Sequence, residues 1–183
     1  GNDPRFIGSG PTTPWEPPID DVLYLLKKGN VPDVLVNKIK QLGPRKSHGN
    51  RCVNLLLADN GLALEQTSGL LHEMGYASVI DKNRFSGGSR NAGKKLLSRG
   101  RKELSGGSAD AFIAGGETTV NVRGSGMGGR NTEMALSLLP ELNEDEYVIC
   151  IATDGMDGNS ASAGGMVRGS MLKDFEIGRE SMV

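Results

Sequence analysis

The chain has 183 residues, 27 of them glycine, two cysteines, and nearly balanced charge, with 21 basic against 22 acidic side chains. That length supports one ordinary hydrophobic core or a little more, and so neutral a chain cannot hold nucleic acid by bulk positive charge. Cys52 and Cys150 are too far apart for a disulfide framework or a metal-ligand spacing. No apolar run is long enough for a transmembrane helix and no signal peptide opens the chain, so a soluble, cytoplasmic protein with no membrane partner is expected.

The first 18 residues, GNDPRFIGSGPTTPWEPP, hold five of the eight prolines and read as a turn-rich lead-in that cannot pack by itself. Trp15 among these prolines reads as packing a turn. A helix is expected next, with Asp20 as N-cap, Val22, Leu23, Leu25 and Leu26 as its apolar side, and an end near Lys27–Gly29. A second helix is expected from Asp33 to Leu42, stopped by Gly43–Pro44. Residues 44–51 are polar and read as a linker, which puts a domain boundary near residue 50. His48 in that linker and His72 late in a helix have no ligand partner at metal spacing.

Cys52–Ala58 (CVNLLLA) is a short apolar run that predicts a buried strand. Helical spacing follows over Gly61–Met74, with Gly75 as its cap, and Tyr76–Ile80 predicts a second strand. Together these make a βαβ unit with parallel strands. Arg84–Leu104 is a basic helix whose charges read as a solvated face, with a nucleotide-facing or nucleic-acid patch as the alternative. Further strands are expected at Ala111–Ala114, at the alternating Val120–Arg123, and at Tyr147–Ala152, the clearest buried strand. A helix is expected at Asn131–Leu139. The alternation predicts an α/β fold, a layered, mostly parallel sheet flanked by helices.

Three glycine-bearing elements fall at predicted strand ends, where ligands bind in open α/β sheets. They are Gly115–Gly116–Glu117–Thr118, Gly124–Ser–Gly–Met–Gly–Gly–Arg130 and Thr153–Asp–Gly–Met–Asp–Gly158. Gly124, Gly126 and Gly129 spell G-x-G-x-x-G, and Asp154 follows the next strand, which suits a dinucleotide fingerprint and hence an NAD(P)-dependent reductase. Against that, the preceding Val120–Arg123 alternates, whereas such a strand is buried on both faces. An anion-binding turn reads better: its N–H groups, with Gly128, lead into the Asn131 helix, whose dipole favours negative charge, and Arg130 can clamp phosphate or carboxylate. Asp154 and Asp157 are candidate Mg²⁺ ligands, or they bond their own turn. Glu117 and Glu133 are weaker binding candidates, since an acid in a first helical turn is favourable in any case.

At GGETTVNVRGSGMGGRNTEMALSLL and TDGMDGNSASAGG the chain resembles the glycerate 2-kinase family with a MOFRL-type carboxy-terminal domain, some members of which are labelled hydroxypyruvate reductase. Gly1–Asn–Asp3–Pro4 and Gly8–Ser9–Gly10–Pro11–Thr12 resemble the end of that family's amino-terminal domain. The resemblance implies residues 1–49 as the remnant of one domain and 50–183 as a MOFRL-like domain that stops short of the family's closing segment. It implies ATP- and Mg²⁺-dependent phosphorylation of the 2-hydroxyl of D-glycerate, with Arg130 as the active-site arginine and Asp3 as the acid near the reacting hydroxyl. Family members are more than twice as long and carry a glycine-rich loop and a catalytic lysine in an amino-terminal domain not found here. Thr132 stands where the family has Gln, and Ala161 where it has Asp. The resemblance therefore predicts that this chain alone is inactive and supplies part of a parent's site. A non-catalytic binding or oligomerisation module and a homodimer are left open.

Overall fold

The computed structural model describes residues 3–10, 12–13, 18–43 and 52–174. The expected linker at 44–51, with His48, and Trp15 lie outside the described residues. The chain divides into two compact units, Gly1–Asp59 and Asn60–Val183.

In the first unit, a short 3-10 helix at Pro4–Ser9 is capped by Asp3. Two helices follow, α1 (Ile19–Lys28) and α2 (Asp33–Leu42). Asp20, Asp21 and Lys27, Lys28 complement the α1 dipole at its two ends. The cap position is Pro18 rather than the expected Asp20, which lies inside the first turn; proline's fixed φ starts the helix without a side-chain bond. Val36 of α2 is buried.

The expected buried strand at Cys52–Ala58 does not form. No ladder pairs it among the described residues, and Val53, Leu55 and Leu57 are 84%, 77% and 87% exposed. An apolar run becomes a strand only where a neighbour takes its N–H and C=O groups, so the βαβ unit that depended on it is absent as well.

The second unit runs α3 (Asn60–Glu73), β1 (Ser78–Ile80), β2 (Phe85–Gly88), α4 (Ser89–Leu104), β3 (Ala111–Ile113), β4 (Gly116–Thr119), α5 (Arg130–Leu138), β5 (Tyr147–Ile151), β6 (Gly164–Arg168) and α6 (Met171–Asp174). β1 pairs with β3 and β2 with β4, both in parallel. Both parallel connections pass through α4, as parallel strands require a crossover. β5 and β6 pair antiparallel, with Cys150 opposite Gly165. The fold is mixed α/β, with helices flanking these pairs.

The predicted strand at Val120–Arg123 is displaced: Gly116–Thr119 forms the ladder, and Val122 is exposed. β5 is buried on one face only. Cys150 points inward, while Tyr147, Ile149 and Ile151 face out, because its antiparallel partner leaves one side of the ribbon uncovered. The core joins Ala92 of α4 to Met134, Ala135 and Leu138 of α5, with Leu142, Cys150 and Val167 beneath. α4 meets α5 at Gly93, where an added Cβ would lie 2.9 Å from the Met134 side chain.

The basic face of α4 is largely paired. Lys94 reaches Glu141 at 3.1 Å, and Arg101 grips Glu146 through Nε at 2.8 Å and Nη2 at 2.6 Å. The hydrogen bonds from Arg101, opposed by burial and aided by the Asn143 N–H, hold the Glu146 carboxyl down at about 2, from 4.5. A carboxylate depressed in the folded state stabilises fully above its unfolded value and loses that contribution as pH falls toward the folded one. Arg101→Ala is therefore expected to cost about 1 kcal/mol at neutral pH and almost nothing near pH 2. Thermal denaturation at both values checks this, and an equal loss at both would contradict it.

Candidate active site

The glycine-rich segment at 124–129 and the turn at 153–160 meet backbone to backbone. A Cβ on Gly129 would lie 2.5 Å from the Gly158 nitrogen, and one on Gly158, whose φ is +62°, would lie 2.2 Å from the Gly128 oxygen. Only glycine allows this approach at either position. Asn159 stitches the same seam: its Oδ1 accepts from the Gly128 N–H at 2.9 Å, and its own N–H donates to the Gly128 carbonyl at 3.3 Å. Sequence reasoning passed over Asn159; the signal was an asparagine directly after a turn glycine, a residue suited to bonding a neighbouring backbone.

The contact delivers Asp157 to the amino end of α5. Asp157 is 0% exposed. Its Oδ1 accepts from the Asn131 N–H at 2.9 Å and from Asn131 Nδ2 at 3.1 Å; its Oδ2 accepts from the Thr132 N–H and Thr132 Oγ1, both at 2.7 Å. Burial alone would raise this carboxyl, and the four hydrogen bonds more than offset it, so its pKa lies below the ordinary value. Where the sequence led us to expect a bound ligand anion, the helix start holds the chain's own carboxylate. The Asn131 and Thr132 N–H groups are therefore closed to a ligand, and the bonded Asp157 lone pairs do not fit a metal ligand. Thr132 completes the clamp with its hydroxyl.

The remaining candidates separate. Arg130 is half-buried at the first position of α5, and its guanidinium has no hydrogen-bond or ionic partner among the described residues. Asp154 is exposed and accepts one bond, from the Met156 N–H at 3.2 Å. Among the described residues no group of three His, Cys, Asp or Glu side chains could hold a metal. Asp154 alone thus suits only a Mg²⁺ that arrives with most of its waters and a substrate's phosphates. Glu117 stands exposed on β4, opposite Ser86. Glu133 pairs with Arg90, whose Nε donates at 2.5 Å. Asp3, in the first unit, accepts from the Arg5 side chain and N–H, which lower its pKa.

A cavity of about 480 Å³ lies between the amino end of α4 and the segment after β4, lined among others by Ser89, Arg90, Asn91, Asn121, Arg123 and Glu133. It opens at the carboxyl ends of the parallel β2–β4 pair, where open α/β sheets bind ligands. Gly124 reaches its wall, so the glycine-rich segment borders the cavity on one side and the Asp157 clamp on the other.

Parallel pairs crossed by helices define an α/β domain. Residues 110–182 match the model of the MOFRL family, and nearly the whole chain is similar to glycerate 2-kinases. It is 34% identical over 176 residues to D-glycerate 2-kinase of Thermotoga maritima, covering 93% of this chain and 42% of that protein. Glycerate 2-kinase of Sulfurisphaera tokodaii is 29% identical, over 95% of this chain and 44% of its own length. The crystal structure of glycerate kinase from Thermotoga maritima superposes with a TM-score of 0.74 at 29% identity, covering 99% of this chain and 46% of that one. The chain thus spans less than half the length of each of these relatives. No helix among the described residues is long and apolar enough to cross a membrane.

Proposed function

We propose that this chain supplies one side of the active site of an ATP-dependent D-glycerate 2-kinase, the other side coming from the rest of a longer protein. The observation that carries the proposal is Arg130. A half-buried arginine without a partner among the described residues is held at a helix start by the seam between two glycine turns, in a chain similar to glycerate 2-kinases. Its five donors suit a bidentate grip on the glycerate carboxylate or on the transferring phosphoryl group, whose charge a preorganised cation stabilises. Asp157 is a positioning residue that fixes the helix carrying Arg130. Asp154 would meet the Mg²⁺ of the nucleotide, and Mg²⁺ would neutralise phosphate charge there. Asp3 would orient the 2-hydroxyl; a depressed carboxyl pKa makes it a better hydrogen-bond acceptor for positioning than a strong base. The domain division at residue 49/50, the cytoplasmic location and the small-molecule partner belong to the same reading.

The test is phosphoryl transfer from ATP to D-glycerate by the complete reading frame that encodes this chain, with the product identified as 2-phosphoglycerate. The 183-residue chain alone is expected to be inactive. NADH oxidation dependent on hydroxypyruvate, with no phosphoryl transfer, would replace this reading by the reductase.

A further inference from the structure

We propose that the cavity at the amino end of α4 is an oxyanion subsite separate from the Arg130 position. At α5 the chain fills the helix start with its own Asp157. At α4 it does not: the cap is Gly88, no side chain caps the helix, and no acid stands in its first turn. The N–H groups of that turn have no partner within an α-helix, and α4 is 16 residues long, so its dipole draws negative charge to this end.

A second observation points to a ligand independently. Ser89 lines the cavity and is only 3% exposed, yet its hydroxyl makes no hydrogen bond among the described residues. Its oxygen is not sealed in the interior but keeps contact with the cavity, where a ligand can supply the partner that the described residues do not. The cavity's charges agree. Arg123 lines it with no partner among the described residues. Arg90 sits in the first turn of α4, where a cation opposes the dipole, and Glu133 holds it by Nε alone. Glu133 is the one carboxylate on the wall, so the lining carries one net positive charge. An oxyanion would accept from the Ser89 hydroxyl and the first-turn N–H groups and meet Arg123 and the outer Arg90 nitrogens. The same chemistry fits the carboxylate of a hydroxy acid or a phosphoryl group of a nucleotide. Binding stands on this geometry; assigning the occupant to D-glycerate or ATP rests on the kinase reading.

The experiment is a titration of the isotope-labelled 183-residue chain with inorganic phosphate, D-glycerate and ATP, in separate arms, followed by backbone amide NMR. Saturable shifts are expected at Ser89, Arg90 and Asn91. Ser89→Ala, which keeps the packing, and Arg123→Ala, at an exposed side chain, should each weaken binding about tenfold. Lys94→Ala, on the same helix but paired with Glu141, should leave it unchanged. Response to D-glycerate without ATP assigns the carboxylate, and the reverse assigns the phosphoryl group. Absence of saturable shifts with every probe, or equal weakening by Lys94→Ala and Arg123→Ala, overturns the subsite. Phosphoryl transfer by the complete protein is scored separately, so either conclusion can fail while the other stands.

Discussion

Asp157→Ala is expected to lower the stability of the Asn60–Val183 unit by about 3–4 kcal/mol. The substitution strands four donors at once, the Asn131 and Thr132 N–H groups, the Asn131 amide and the Thr132 hydroxyl. A helix cap alone is worth about 1 kcal/mol. The larger figure reflects a buried, charge-assisted acceptor whose removal leaves its donors unpaired. The pH dependence distinguishes this from a packing loss. Because the folded carboxyl lies below its ordinary 3.8, its contribution is full above that value and fades as pH drops through the folded one. Denaturant melts of wild type and Asp157→Ala should therefore converge as the pH is taken well below 3.8. A gap that stays constant on acidification would mean that shape, not charge, does the work.

Gly129→Ala is expected to cost about 2–3 kcal/mol, at the upper range of overpacking penalties. The new methyl would lie 2.5 Å from the Gly158 nitrogen and 2.6 Å from the Asp157 carbonyl carbon. These are backbone atoms, which cannot rotate aside as a side chain would, so the two turns must separate. Separation pulls Asp157 from α5, and the loss should couple to the first prediction. In a double-mutant cycle, Gly129→Ala with Asp157→Ala should cost clearly less than the sum of the two. Gly126→Ala is the control, since an added Cβ there meets nothing. Thermal midpoints of the three variants and the double mutant check this, and strict additivity would show that the seam and the clamp are independent.

How far the sequence carried this picture depended on whether each signal was local. The α2 boundaries, Asp33 to Leu42, followed from an acid at the start and Gly43 at the end, and the structure has those bounds. The Asp-Gly-x-Asp-Gly turn and the helix after Gly129 were legible for the same reason, since turn and cap chemistry reside in a few adjacent residues. Pairing is not local. CVNLLLA has the composition of a strand, but its neighbour cannot be read from it. β6 begins with Gly164–Gly165 and β2 ends with Gly87–Gly88, so both look like turns until a partner is known. The alternation at Val120–Arg123 was likewise misleading, because the ladder is formed by the four residues before it, Gly116–Thr119. At the site, the sequence pointed to a bound ligand anion at the start of α5, where the structure has the chain's own carboxylate. It could not show that the anion was Asp157, because residues 26 positions apart along the chain meet only once the sheet is built.

The central claim is that Arg130, held by this clamp, works on phosphoryl transfer to D-glycerate. The most direct test compares the complete protein with its Arg130→Ala variant, measuring kcat/KM for D-glycerate with ATP alongside the thermal midpoint. The side chain makes no bond among the described residues, so its removal should leave stability within about 0.5 kcal/mol. Loss of a preorganised cation at the transition state should lower kcat/KM by about 10²–10³-fold. Phosphoryl transfer that survives Arg130→Ala at close to the wild-type rate would contradict the account.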